Sequence, residues 1–171
     1  MNVAWHYRLS PSPCGRGKAR LPRAIASFKD RKMTTWSLDP QLAADTVAVG
    51  DLALSRVLLA NDANYPWLIL VPRRPALTEL IDLEPNEQVQ LLAEIDAAAR
   101  ALKSITECEK FNIAAIGNVV AQLHVHVVAR RHSDAAWPKP VWGAAPPVGY
   151  DAAVRNGLIG ALRRALKIGS R

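Results

Sequence analysis

The sequence predicts an α+β domain in which an antiparallel sheet carries its helices on one face. Strand-like and helix-like segments do not alternate regularly: one helix follows the second strand, and two strands then arrive in succession. The helical segments repeat apolar residues at spacings of three and four, whereas the strand-like ones are short apolar runs bounded by Asn, Asp, Gly and Pro. With 171 residues, 50% of them hydrophobic and 22% charged, the chain has material for one well-packed domain and a tail. That composition excludes wholesale disorder.

Ser55–Ala60 (SRVLLA) and Trp67–Val71 (WLILV) read as strands, with the turn-forming NDANYP between them. Pro72-Arg73-Arg74-Pro75 ends the second. A helix is predicted over about 85–107. Pro85 suits its first position and Glu87 its first turn, and Val89, Leu92, Ile95, Ala99 and Leu102 recur at spacings of three and four, with Leu91, Ala98 and Ile105 beside them, as the apolar face. Glu87, Gln90, Glu94 and Lys103 are the expected polar flanks. Phe111–Ile116 reads as a third strand, Gly117-Asn118 as an interruption and Val119–Ala129 as a fourth strand. From Arg131 to Gly149, four prolines and two tryptophans predict an irregular loop, in which Trp137 and Trp142 either pack on the core edge or form an aromatic platform. Asp151–Lys167 closes the domain as a second helix, with Val154, Leu158, Leu162 and Ala165 inward and Gly169 as its stop.

An excess of seven positive charges suggests nucleic acid as a partner, but its placement argues against that. Residues 1–32 carry eight basic side chains and one acid, so the whole imbalance lies there; residues 33–171 carry 14 basic and 14 acidic groups. The segment contains SPSPCGRGKARLPR and lacks both a periodic apolar pattern and the apolar stretch of a secretory signal. It is expected to be a basic, disordered extension, a reading preferred to a transit peptide or a nucleic-acid-binding arm. Residues 33–171 then form a single domain opening at Met33. The longest apolar run, Trp67–Val71, is about five residues against the roughly 18–20 of a membrane span, so no membrane partner is expected. Cys14 and Cys108 form no metal motif and are expected to be free thiols in a reducing cytoplasm.

The most informative stretch is Gln122–Val128 (QLHVHVV). On a strand, Leu123, Val125 and Val127 face a core while Gln122, His124 and His126 share the opposite face. Two imidazoles so placed disfavour double protonation, leaving a neutral base, nucleophile or ligand near pH 7. Three readings follow: a solvated polar face, a metal pair that needs His132 or Asp134 as third ligand, and phosphoryl chemistry. Arg130 and Arg131 discourage a cation. They are candidates either for attracting polyphosphate or for simple surface solvation. The Gly117-Asn118 turn just upstream has backbone N–H groups that suit an anion.

Gly117-Asn118-Val119-Val120-Ala121-Gln122-Leu123-His124-Val125-His126-Val127-Val128 resembles the signature of the histidine triad nucleotide hydrolases and transferases. That pattern is His, apolar, His, apolar, His, apolar, apolar, preceded by Gly-Gln or a similar pair and a Ser or Thr. The family's nucleophile falls on His124 and its phosphate-contacting third histidine on His126. Leu59-Ala60-Asn61 and Pro66–Pro72 are similar to the strands that bracket the family's nucleoside pocket, with Asn61 near the ribose position and Asn112 near the phosphates. Coverage is roughly 45 to 131. Gln122 stands where the first histidine is expected, as in a bacterial branch of the family, and keeps hydrogen-bonding capacity without titrating. Val119 replaces a Ser or Thr that touches the leaving group.

The resemblance implies a sheet of about five strands with two main helices, and a homodimer. It implies a hydrolase or nucleotidyl transferase acting at the α-phosphate of a dinucleoside polyphosphate or nucleoside phosphoramidate. The intermediate would be a covalent nucleotidyl-His124, with no cofactor and no metal required. His124, His126 and Gln122 are the expected catalytic residues, and Asn61, Asn112, Gly117 and Asn118 the substrate-binding ones. The alternatives are a nucleotide-binding protein with weak or no catalysis, and a His-x-His metal protein.

Overall fold

A computed structural model describes residues 35–169; the basic extension with Cys14 lies outside the described residues. The elements run α1 (Pro40–Asp45), β1 (Thr46–Asp51), β2 (Ser55–Ala60), β3 (Trp67–Pro72), α2 (Pro85–Ile105), β4 (Lys110–Ala114), β5 (Val125–Arg130) and α3 (Ala152–Ala165). The five strands form one sheet in the order β1-β2-β3-β5-β4, antiparallel at every junction. This is the α+β architecture the sequence predicts, except that a third, short helix, α1, packs on the sheet face opposite to the two long ones.

Helix starts follow local chemistry. Asp39 caps α1 by accepting the Gln41 N–H, and Pro40 occupies the first helical position. Asp151 caps α3 through the N–H groups of Ala153 and Val154. At the far end of α3 the left-handed residue is Lys167, at φ 54°, in place of the expected Gly169 stop. α2 begins at Pro85, with Glu84 and Glu87 forming a reciprocal capping box.

The main core lies between one sheet face and the two long helices. Val49, Val57, Leu59, Leu68, Leu70, Val127 and Ala129 meet Ala98, Ala101 and Leu102 of α2 and Ile159 and Leu162 of α3. Burying a side chain such as Leu102 stabilises the fold by about 1.5–3 kcal/mol. Of the expected apolar face of α2, Leu91, Ala98 and Leu102 are buried but Val89 and Leu92 are exposed, and Glu94, expected as a polar flank, is buried with Ala101. Glu94 faces inward because its carboxylate accepts the N–H groups of Leu54 (2.6 Å) and Ser55 (2.9 Å) at the start of β2. On α3, Val154 is likewise exposed, and Ile159 and Leu162 are buried.

The opposite sheet face is covered by shorter pieces. Leu42 of α1, with Trp36 and Leu38, packs on Leu58, Ala60, Ile69 and Val71. Farther along, Ala136 and Val141 of the loop after β5 pack on Val128 and Tyr65. β1 carries a bulge between Ala48 and Gly50. Gly50 has φ +155°, and a Cβ there would sit 2.5 Å from Ile168 Cγ2, so the bulge needs glycine.

The expected strand over 119–129 is shorter than predicted: β5 starts at Val125, and β4 ends at Ala114, whose partner is His126. Beyond that pair β5 has no β4 residue to bond. Upstream of it the Leu123 N–H donates to Leu77 O, outside the ladder. Residues 117–124 are therefore irregular.

Candidate active site

β3 and β5 place the central side chains. Ile69 lies opposite His126 in the register, and Trp67 lies opposite Val128, so Trp67, Ile69 and His126 share the sheet face away from α2. His124 precedes the strand but keeps its alternation. Leu123 and Val125 enter a cluster with Leu54, Leu77, Leu83 and Leu91, while His124 and His126 line a cavity of about 590 Å³. Each imidazole is 7% exposed, and the two rings stand nearly perpendicular with centroids 4.9 Å apart.

His124 is anchored from behind. Its Nδ1–H donates to the carbonyl oxygen of Gln122 at 2.7 Å, because a carbonyl can only accept. In the neutral ring the remaining nitrogen, Nε2, then holds the lone pair. His126 Nδ1 accepts the indole N–H of Trp67 at 3.0 Å. Trp67 and Trp142 wall the ring, with centroids 5.3 and 5.5 Å away. Burial, and then the neighbouring His124, lower the His126 pKa from 6.5 to about 4.

The other predicted residues divide. Asn61, Gly117 and Asn118 line the same cavity as the histidines, and Gly117 adopts φ +69° at the turn. The Gln122 side chain is directed elsewhere: Oε1 accepts the Asp39 N–H at 2.9 Å and Nε2 donates to Ser37 O at 2.8 Å. It ties the segment ahead of α1 to the approach to β5. Asn112 accepts a hydrogen bond from Arg130 through Oδ1 and is outside the cavity lining.

Arg130 is neither solvated nor turned toward the cavity. It is 1% exposed and bonds Asp134 through Nε (2.6 Å) and Nη2 (2.9 Å), and Lys139 O at 3.0 Å. Burial raises the Asp134 pKa, but hydrogen bonds from Arg130 and from the N–H groups of Arg131 and Ala136 outweigh it and hold the carboxyl below its ordinary value. This network fixes the loop that carries Trp142 to the cavity wall. Arg131 pairs with Glu107 at 3.7 Å. The two potential third metal ligands are also engaged elsewhere, His132 with Glu109 (2.7 Å) and Asp134 with Arg130. Among the described residues, no group of three His, Cys, Asp or Glu side chains is placed to hold a metal.

Sequence reasoning missed the lining residues Gln41, Asp45 and Asp62, and placed Trp67 and Ile69 only on a strand bracketing the pocket. Alternation along WLILV puts Trp67 and Ile69 on one face, but which face meets the histidines depends on the β3–β5 register. The described residues lining the cavity include Asp45 and Asp62 and no lysine or arginine. Trp142 also lines the cavity, while Trp137 packs on His132 and Arg130.

Comparison with known proteins agrees with this architecture. The family profile described as HIT domain matches residues 41–133. The chain is similar to a histidine triad protein from Bradyrhizobium japonicum, at 56% identity and a TM-score of 0.77, over 78% of this chain and 99% of that one. It is also similar to a histidine triad protein from Marinobacter aquaeolei, at 40% identity and a TM-score of 0.76, over 78% of this chain and 98% of that one. An AP-4-A phosphorylase of Mycobacterium tuberculosis is 35% identical over 105 residues, 56% of this chain and 53% of that protein. The chain thus matches about half the length of that curated relative.

Proposed function

The chain belongs to the HIT domain family, and from that premise we propose that it is a nucleotide hydrolase or nucleotidyl transferase acting at an α-phosphate. The observation that carries this reading is the pair of buried imidazoles at one cavity, His124 with its Nδ1–H held by a backbone carbonyl. Nε2 of His124 attacks the α-phosphorus, the bond to the leaving group breaks, and a nucleotidyl-histidine forms. Water, or another acceptor such as phosphate, then takes the nucleotidyl group and restores the imidazole. His126 donates a hydrogen bond to a phosphoryl oxygen as charge develops there. The turn at Gly117-Asn118 supplies backbone N–H groups, and Asn61 meets the ribose. Gln122 acts through its carbonyl on His124 and through its side chain on the cavity's frame. Asn112 acts at one remove, through Arg130. Substrates of dinucleoside polyphosphate or nucleoside phosphoramidate type fit this scheme, and the name of the mycobacterial relative supports a nucleotide substrate.

A homodimer is part of this reading. β4 ends the sheet, with Ile113 half exposed on it, and Val89 and Leu92 of α2 lie exposed. The assignment to the cytoplasm belongs here too; among the described residues, no helix is long and apolar enough to cross a membrane.

A second reading, a nucleotide binder with little catalysis, is favoured by Val119, which lines the cavity at 93% exposure with no hydroxyl to offer a leaving group. Turnover of a panel of nucleotide conjugates by wild type and His124→Ala, beside calorimetry with AMP, separates the two. The transfer reading expects the variant to lose at least about 10³–10⁴-fold in turnover. Tight AMP binding by a wild type that turns over nothing in the panel would instead select the binder.

A further inference from the structure

Resting on the nucleotidyl-transfer reading, we propose that Trp67 is a positioning residue that places the proton of neutral His126 on Nε2, so that this ring offers the bound phosphate an N–H. The two nitrogens that meet here differ in chemistry. An indole N–H can only donate, so the imidazole nitrogen facing it at 3.0 Å must accept. A neutral imidazole has one proton for two nitrogens. With Nδ1 accepting, the proton is on Nε2.

His124 is set the opposite way. Its Nδ1 faces the Gln122 carbonyl, which can only accept, so in the neutral ring that nitrogen carries the proton and Nε2 is bare. Two adjacent rings, both opening on one cavity, therefore present one lone pair and one donor. Two lone pairs would repel a phosphoryl oxygen, and two donors would leave no nucleophile. A backbone carbonyl sets one ring and a tryptophan sets the other.

The fold secures the second arrangement. Trp67 opens β3, two residues before Ile69, which lies opposite His126, so the indole reaches diagonally across the strand pair on the same face. Trp142 stands 5.9 Å from Trp67 and 5.5 Å from His126, restricting both rings. Protonating Nδ1 would bring N–H against N–H, so the same contact opposes the imidazolium.

The test is ¹⁵N-histidine NMR on the full chain near pH 7, with and without AMP, for wild type and Trp67→Phe, which removes the N–H and keeps an aromatic ring. Wild type is expected to show His126 as the Nε2–H tautomer, with that N–H signal moving on AMP addition. Trp67→Phe is expected to show a mixture of tautomers and a kcat about 3–10-fold lower, the scale of one hydrogen bond, with KM changed less. Wild-type His126 carrying its proton on Nδ1 overturns the proposal, whether or not the variant folds. So does a Trp67→Phe spectrum with the wild-type tautomer. If the tautomer and the AMP response are as expected but no conjugate is turned over, the positioning role stands and the transfer reading falls.

Discussion

Acidification should unfold this protein partly through His126, and the size of the effect can be worked out. In the unfolded chain this imidazole takes up a proton as pH falls through about 6.5, whereas in the fold burial and His124 hold it neutral to about 4. Between those values the unfolded state binds more protons, so stability is full above 6.5 and is lost progressively toward 4. At roughly 1.36 kcal/mol per pH unit, that interval is worth about 3 kcal/mol, a large share of the roughly 5–15 kcal/mol of a typical domain. The perturbation is His126→Asn, which removes the titration and leaves the other acid-sensitive groups in place. Urea unfolding of both proteins at pH 7, 6, 5 and 4 gives the difference in stability. The wild type should lose about 3 kcal/mol relative to the variant across this series. A difference that stays constant with pH would refute the reasoning.

Arg130→Met strands the Asp134 carboxylate beneath the loop and should cost about 3–5 kcal/mol in chemical denaturation, with much of it recovered in Arg130→Met/Asp134→Leu. A cost below about 1 kcal/mol would place that pair among surface ion pairs. Glu94→Leu removes the acceptor of two buried N–H groups and should destabilise by roughly 2–4 kcal/mol in the same assay. Val119→Ser returns a hydroxyl to the cavity and should raise turnover about tenfold for conjugates with poor leaving groups, with little change for good ones. An equal effect on both classes would mean the hydroxyl does not reach the leaving group.

The strands at Ser55–Ala60 and Trp67–Pro72 were legible because continuous apolar runs end in Asn, Asp and Pro, whose turn chemistry is local. α2 was legible from Pro85 and its periodicity. α1 and β1 were not. Six residues give too short a sample of either period, and the bulge at Gly50 breaks the alternation of β1. Glu94 was misjudged as a polar flank of α2 because a carboxylate reads as solvent-facing until its partners, about 40 positions away at Leu54 and Ser55, are known.

The site shows the same division. His124 and His126 stand out because alternation sorts them from Leu123 and Val125 within five residues. The destinations of Gln122 and Asn112 depend on Ser37 and Arg130, which are 85 and 18 positions away. Trp67 was visible as a strand residue, but its bond to His126 spans 59 positions and needs the register of two strands.

The covalent step is tested most directly by rapid quenching. Wild type is mixed with a nucleotide conjugate, stopped within the first turnovers, and weighed intact by mass spectrometry, with peptide mapping of any adduct. One nucleoside monophosphate is expected to be added per chain, located on His124 and absent from His124→Ala. Efficient turnover with no adduct at any quench time, or an adduct on another residue, would contradict it.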